Sequence, residues 1–137
     1  MFDASLAAHA ARDIPRSIDL AQQAIAGDPR HVAALEHLAS LLITRRRAFA
    51  EGLPLIERAV ALRPEDAGLW YSLGWDYEFA AHELRRRPTT GNALNIRGLY
   101  ERAAEGFRQC LALSPAGKLQ GDAEDLLDHV DNELRSL

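Results

Sequence analysis

Trp70-Tyr71-Ser72-Leu73-Gly74-Trp75-Asp76-Tyr77 is the stretch that decides how this chain folds. Trp70, Leu73, Gly74 and Tyr77 recur at the three-to-four spacing that puts side chains on one face of a helix. Further along, Ala103 and Phe107 stand four apart, and Pro115 follows. Together they describe two antiparallel helices in which bulky groups of one fill gaps left by small groups of the other. Gly74 and Ala103 let the two backbones approach. Pro115 lacks an N–H and restricts the residue before it, so it ends the second helix. Trp70, Leu73, Tyr77, Phe107 and Leu111 are then core residues rather than ligand contacts.

Prolines punctuate the rest. Asp28-Pro29, Arg63-Pro64 and Ser114-Pro115 each follow an apolar-periodic segment, ending at Ala24-Ile25, Ala59-Val60-Ala61-Leu62 and Cys110-Leu111-Ala112-Leu113. Pro29 and Pro64 are 35 residues apart, Pro64 and Pro115 51 apart. The longer interval places an insertion of roughly half a repeat between Tyr77 and Ala103. Ala81 and Leu84 continue the first helix of that pair; Leu94, Ile96, Leu99 and Tyr100 precede Ala103 in the second. Helices over residues 78–87 and 93–102 are therefore expected, joined by Pro88-Thr89-Thr90-Gly91-Asn92 with Asn92 as N-cap.

The pattern resembles the tetratricopeptide repeat, whose signature is W-x₂-L-G-x₂-Y, then A-x₃-F, then P. The resemblance implies an all-α fold of helical hairpins stacked in a right-handed superhelix, the third hairpin elongated. It divides a single domain, residues 1–137, into repeats at about 1–31, 32–66 and 67–117, with a capping helix at about 122–136. Only the third repeat carries the full motif. In the first, Asp3 to Ala11 make a short helix, Asp13 caps the next and Pro15 sits in its first turn. The second has an aliphatic version, Leu35-x-x-Leu38-Ala39-x-x-Leu42, followed by Gly52, Ile56 and Ala59. Its second helix is expected to start near Glu51, with Pro54 in the first turn or kinking the helix there. Asp122 and Asp125 look like an N-terminal capping pair, and Leu126, Leu127, Val130, Leu134 and Leu137 form an apolar stripe. Acids on the other face suit the polar exterior of a terminal cap.

Composition narrows the function. The 137 residues suit one domain. A net charge of −4 argues against bulk binding to nucleic acid. Cys110 is the single cysteine, so no internal disulfide forms, and it reads as a small buried core residue. No stretch suits a membrane span, and the N-terminus lacks the basic and apolar regions of a leader. These features point to a cytoplasmic protein. His9, His31, His37, His82 and His129 lack metal-ligand spacing, and no phosphate loop or nucleophile elbow is present. The chain is expected to be no enzyme and to need no metal or cofactor.

The resemblance also locates a partner site: first-helix residues pointing away from the hairpin partner. These are Phe2, Leu6 and His9; Glu36, Ser40, Ile43 and Thr44; and Tyr71, Trp75, Glu78 and Phe79. None is Lys, Arg or Asn, the residues with which family members grip acidic tails of chaperones. The surface is apolar and aromatic, suited to a peptide or helix of another protein. The same surface could instead build a homo-oligomer, or be covered by the C-terminal segment. A second candidate is an anionic-partner edge formed by two triplets at helix ends, Arg45, Arg46, Arg47 and Arg85, Arg86, Arg87. There guanidinium groups would meet carboxylates or phosphates, although arginine at a helix C-terminus also simply complements the dipole.

Overall fold

The structure, a computed structural model, describes residues 1–88, 95–113 and 115–137. These residues form seven helices: α1 (Phe2–Ala10), α2 (Ile14–Gly27), α3 (Val32–Arg46), α4 (Phe49–Leu62), α5 (Ala67–Arg86), α6 (Ile96–Ala112) and α7 (Lys118–Arg135). The fold is all-α, as the periodicity requires. Contacts divide it into two compact units, Met1–Leu62 and Arg63–Leu137.

In the first unit each helix packs on the next, α1 on α2, α2 on α3 and α3 on α4. Asp13 caps α2 by accepting the Arg16 N–H, and Pro15 lies in its first turn as expected. Ile18 and Ala21 of α2 pack against Leu38, Leu41 and Leu42 of α3. Both tight turns pass through an arginine in the left-handed region, Arg12 at φ 64° and Arg47 at φ 50°. Just past the second, Ala48 folds back so that its N–H reaches Leu42 O, and its own carbonyl accepts from Glu51 and Gly52. Helix α4 thus begins at Phe49 rather than near Glu51, and Pro54 falls inside it rather than in its first turn. Ile43 is fully buried. A Cβ built on Gly52 would come 2.7 Å from its side chain, so Ile43 faces the hairpin partner and is no groove residue.

In the second unit α5 packs on α6, α6 on α7, and α7 also on α5. Asp66 caps α5 through the Leu69 N–H, and Asn95 caps α6 through the Gly98 N–H. At 20 and 17 residues α5 and α6 exceed α3 and α4, at 15 and 14, so this hairpin is elongated. Its second helix nonetheless starts later than the sequence suggested, because Asn95 lies outside the helix as its cap. The expected cap Asn92, with residues 89–94, lies outside the described residues. Leu73, Tyr100, Ala103, Phe107 and Cys110 are fully buried between the helices. Trp70 and Tyr77 are only half-buried, in contrast to their expected core placement. Trp70 instead donates its indole N–H to Pro64 O at 2.7 Å and carries the Arg102 guanidinium over its ring.

The residue facing Gly74 is Gly106 rather than Ala103. A Cβ on Gly106 would stand 2.8 Å from Gly74 N and 3.0 Å from its Cα, and a Cβ on Gly74 would meet the Phe107 ring at 2.8 Å. Backbone cannot yield as a flexible side chain can. Gly106→Ala should therefore cost about 1–3 kcal/mol, whereas Gly121→Ala, in the interior of α7 with nothing within 4 Å of a new Cβ, should stabilise by about 0.5–1 kcal/mol. Two urea melts check this; equal midpoints for the two variants would contradict the close crossing.

Candidate functional site

The first helix of the elongated hairpin supplies most of the sequence-predicted groove. Tyr71, Trp75, Glu78 and Phe79 are all half-buried, but they do not share one environment. Tyr71 turns toward the hairpin partner, its ring 5.8 Å from Phe107 in an edge-on contact. Burial, and then the Asp122 carboxylate of α7, hold its phenol above the usual range. Glu78 meets His129 of α7 at 3.5 Å. Arg85 is bound by Glu133, and also reaches Ser136 at 3.3 Å.

These interactions, the first of them electrostatic, have a common period. Tyr71, Glu78 and Arg85 advance by seven along α5 as Asp122, His129 and Ser136 do along α7. Seven residues are close to two helical turns, so α7 lies parallel to α5 along one seam. Tyr100 of α6 is fully buried beside this seam; burial raises its phenol pKa, and the Glu133 carboxylate adds to the shift. The C-terminal helix thus covers one side of the expected groove, at Tyr71 and Glu78.

Helix α7 begins at Lys118, not near 122. Gly117 at φ 64° turns the chain into it, and Lys118 pairs with Asp122 at 2.9 Å one turn on. Asp122 therefore lies inside the helix, one turn past its start, rather than in a capping pair. Ala123 and Val130 are fully buried, whereas Glu124, Asp125 and Asp128 face outward.

Trp75 and Phe79 lie beside this row on α5. Their rings stack, with centroids 5.4 Å apart and planes 15° from parallel. Stacking fixes both rotamers, so the pair presents a rigid apolar surface. On α3, in the first unit, Glu36, Ser40 and Thr44 are half-buried, and Thr44 donates its hydroxyl to Ser40 O at 2.7 Å. Phe2 and His9 of α1 pack against histidines of α3, while Leu6 is exposed.

The arginine triplets differ from each other. Arg45 and Arg46 are exposed in the last turn of α3, and Arg47 lies over the Phe49 ring at 5.6 Å. In the second triplet Arg85 is taken by α7, while Arg86 and Arg87 reach Glu83 at 3.4 and 3.1 Å. Arg85, Arg86 and Arg87 are thereby paired with carboxylates of the chain itself. Among the described residues no three His, Cys, Asp or Glu side chains gather as metal ligands, and no helix is long and apolar enough to cross a membrane.

No protein-family model matches the sequence, and no curated protein matches it. Solved structures do. The double mutant described as MamA RS-1 ArsTM superposes with a TM-score of 0.64 at 16% identity, covering 96% of this chain and 74% of that one. A protein of Bacteroides ovatus ATCC 8483, proposed to bind protein, gives 0.62 at 18% identity, covering 95% and 71%. The likeness is one of fold, and it extends over nearly the whole chain.

The site separates stability from surface. Leu73→Ala, at a fully buried position, should cost about 2–5 kcal/mol, and half-buried Trp75→Ala less than that. Thermal melts compare them. A Trp75→Ala variant unfolding as early as Leu73→Ala would mean that the chain itself buries the indole.

Proposed function

We propose that this chain is a tetratricopeptide-type interaction module, an adaptor or scaffold without catalytic activity that binds a peptide or helix of another protein. The reading comprises three repeats and a terminal helix stacked in a right-handed superhelix. The Trp75–Phe79 stack carries it. Two aromatic groups, half-exposed and stacked on a helix packed against both α6 and α7, lose little freedom when a partner covers them. Aromatic groups of that kind dominate interface hot spots. Tyr71 and Glu78 act behind this surface, holding α7 beside it; in the first unit, Glu36, Ser40 and Thr44 are proposed partner contacts of their own. Arg45 and Arg46 are the arginines best placed to favour an acidic flank on the partner.

The Bacteroides ovatus structure supports the same reading by its proposed role in protein binding. Peptide-display selection on the full chain tests it without knowledge of the natural partner. Selected peptides should carry an apolar anchor, and Trp75→Ala should weaken them by about 2 kcal/mol, roughly thirtyfold. Peptides that bind the variant unchanged would move the site elsewhere. Concentration-dependent oligomers that Trp75→Ala dissociates would instead assign this surface to self-assembly.

A further inference from the structure

The three histidines of the first unit are brought together although their sequence spacing gives no hint of it. Phe2 of α1 lies 4.9 Å from the His31 ring and 5.8 Å from the His37 ring, and His9 of α1 lies 5.3 Å from His37. Beside them, Ser5 of α1 and Ser17 of α2 are fully buried and bond each other's backbone. Ser5 Oγ donates to Ser17 O at 2.6 Å, and Ser17 Oγ donates to Ser5 O at 2.8 Å. We propose that His37, set against Phe2 and His9 of α1 and Ser17 of α2, forms an acid-sensitive latch that holds α1 on the fold and releases it on protonation.

Hydrogen-bond accounting fixes the protonation states. A serine hydroxyl has one proton to give, and Ser17 has given its own to Ser5 O. His37 Nε2, 3.2 Å from Ser17 Oγ, must then be the donor. Neutral His37 carries its proton on Nε2, and an added proton goes to Nδ1. His31 has the opposite arrangement. Its Nδ1 accepts the Ala34 N–H at 3.1 Å and so caps α3. Charging both His9 and His37 sets like charges against each other.

The surroundings offer little relief. From α1, His9 faces His37, and Asp3 is exposed; from α2, Ser17 faces it. On α3 itself Glu36 adjoins His37 in sequence and has an interaction of its own. Helix α4 meets α3 through Gly52 against Ala39 and Ile43. Near His31, Asp28 accepts the Arg30 N–H with its side chain, while Asp13 is spent capping α2.

The direction follows. Burial, and then His9, lower the His37 pKa from its ordinary 6.5. The packed state therefore favours neutral His37, and its contribution is present above pH 6.5 and lost as pH falls below it toward the lowered value. Helix α1 is the element exposed to this loss. It has nine residues, of which only Ser5 and Ala8 are buried, and a helix so short does not persist alone.

Amide exchange of the full chain, corrected for intrinsic rates, reads the latch at about pH 7.5 and about pH 5, on either side of the histidine range. Protection across residues 2–10 should fall roughly tenfold or more at the lower pH, while α5 and α6 keep theirs. His37→Gln supplies a donor that does not titrate, so the variant should keep α1 protected at both values. Equal α1 protection in the native chain at both values, or an undiminished fall in the variant, would overturn the proposal. Should the variant not fold, the native His37 ring titration followed by NMR decides. Its midpoint should lie below 6.5 and coincide with the loss of α1 protection; a gap above about one pH unit between the two would overturn it.

Discussion

Gly74 and Gly106 bring α5 and α6 into backbone contact, and the second unit is arranged around that crossing. A side chain on either would collide with main chain or with the Phe107 ring. The close approach leaves room for Phe107 and Leu73 to pack fully out of water on either side of the glycines. It also fixes the rotation of α5 about its axis. With Leu73 and Gly74 turned to α6, the seven-residue row Tyr71, Glu78 and Arg85 is set toward α7, while Trp75 and Phe79 stack beside it. The candidate binding surface is thus a consequence of two missing methyl groups.

The first unit meets the same problem with different chemistry. Gly52 under Ile43 brings α3 and α4 close, but α1 has few apolar groups to bury and is joined to α2 by the paired serines instead. Buried hydroxyls that are fully satisfied hold geometry well and contribute little net stability. The histidines then occupy the rim, where Phe2 supplies the apolar contact that α1 otherwise lacks. The α5–α6 crossing is closed by steric fit, which is indifferent to pH, whereas α1 is held in part by a group that titrates.

Much of the architecture was legible because it is periodic. The elongated hairpin followed from the proline interval and from Leu84 and Leu99 keeping helical spacing, and both are buried. The Asp13 cap and Pro15 behaved as local rules dictate. The errors fell where local rules offered two answers. Asp122 and Asp125 fit a capping pair, yet Lys118 four residues before Asp122 also fits a helical ion pair, and the latter formed. Asn92 and Asn95 are both good caps in sequence, and Asn95 caps α6. Ala103 drew attention through its motif position, whereas Gly106, three residues on, makes the crossing. Ile43 and Tyr71 show that a helix wheel gives a direction only to within a neighbour: each turned toward its hairpin partner. His31 as a cap was invisible because imidazole is not among the usual capping groups, and the histidine cluster was invisible because its members come from two helices.

A double-mutant cycle on Gly74→Ala and Gly106→Ala tests the close crossing most directly. Each new methyl forces α5 and α6 apart at the same point, so once one has done so the second finds part of its room already made. The double variant should then cost less than the two singles together by about 1 kcal/mol or more, within the range seen for residues in contact. Additivity to within about 0.5 kcal/mol, as for independent sites, would mean that the glycines do not face each other and that the arrangement built on them is wrong.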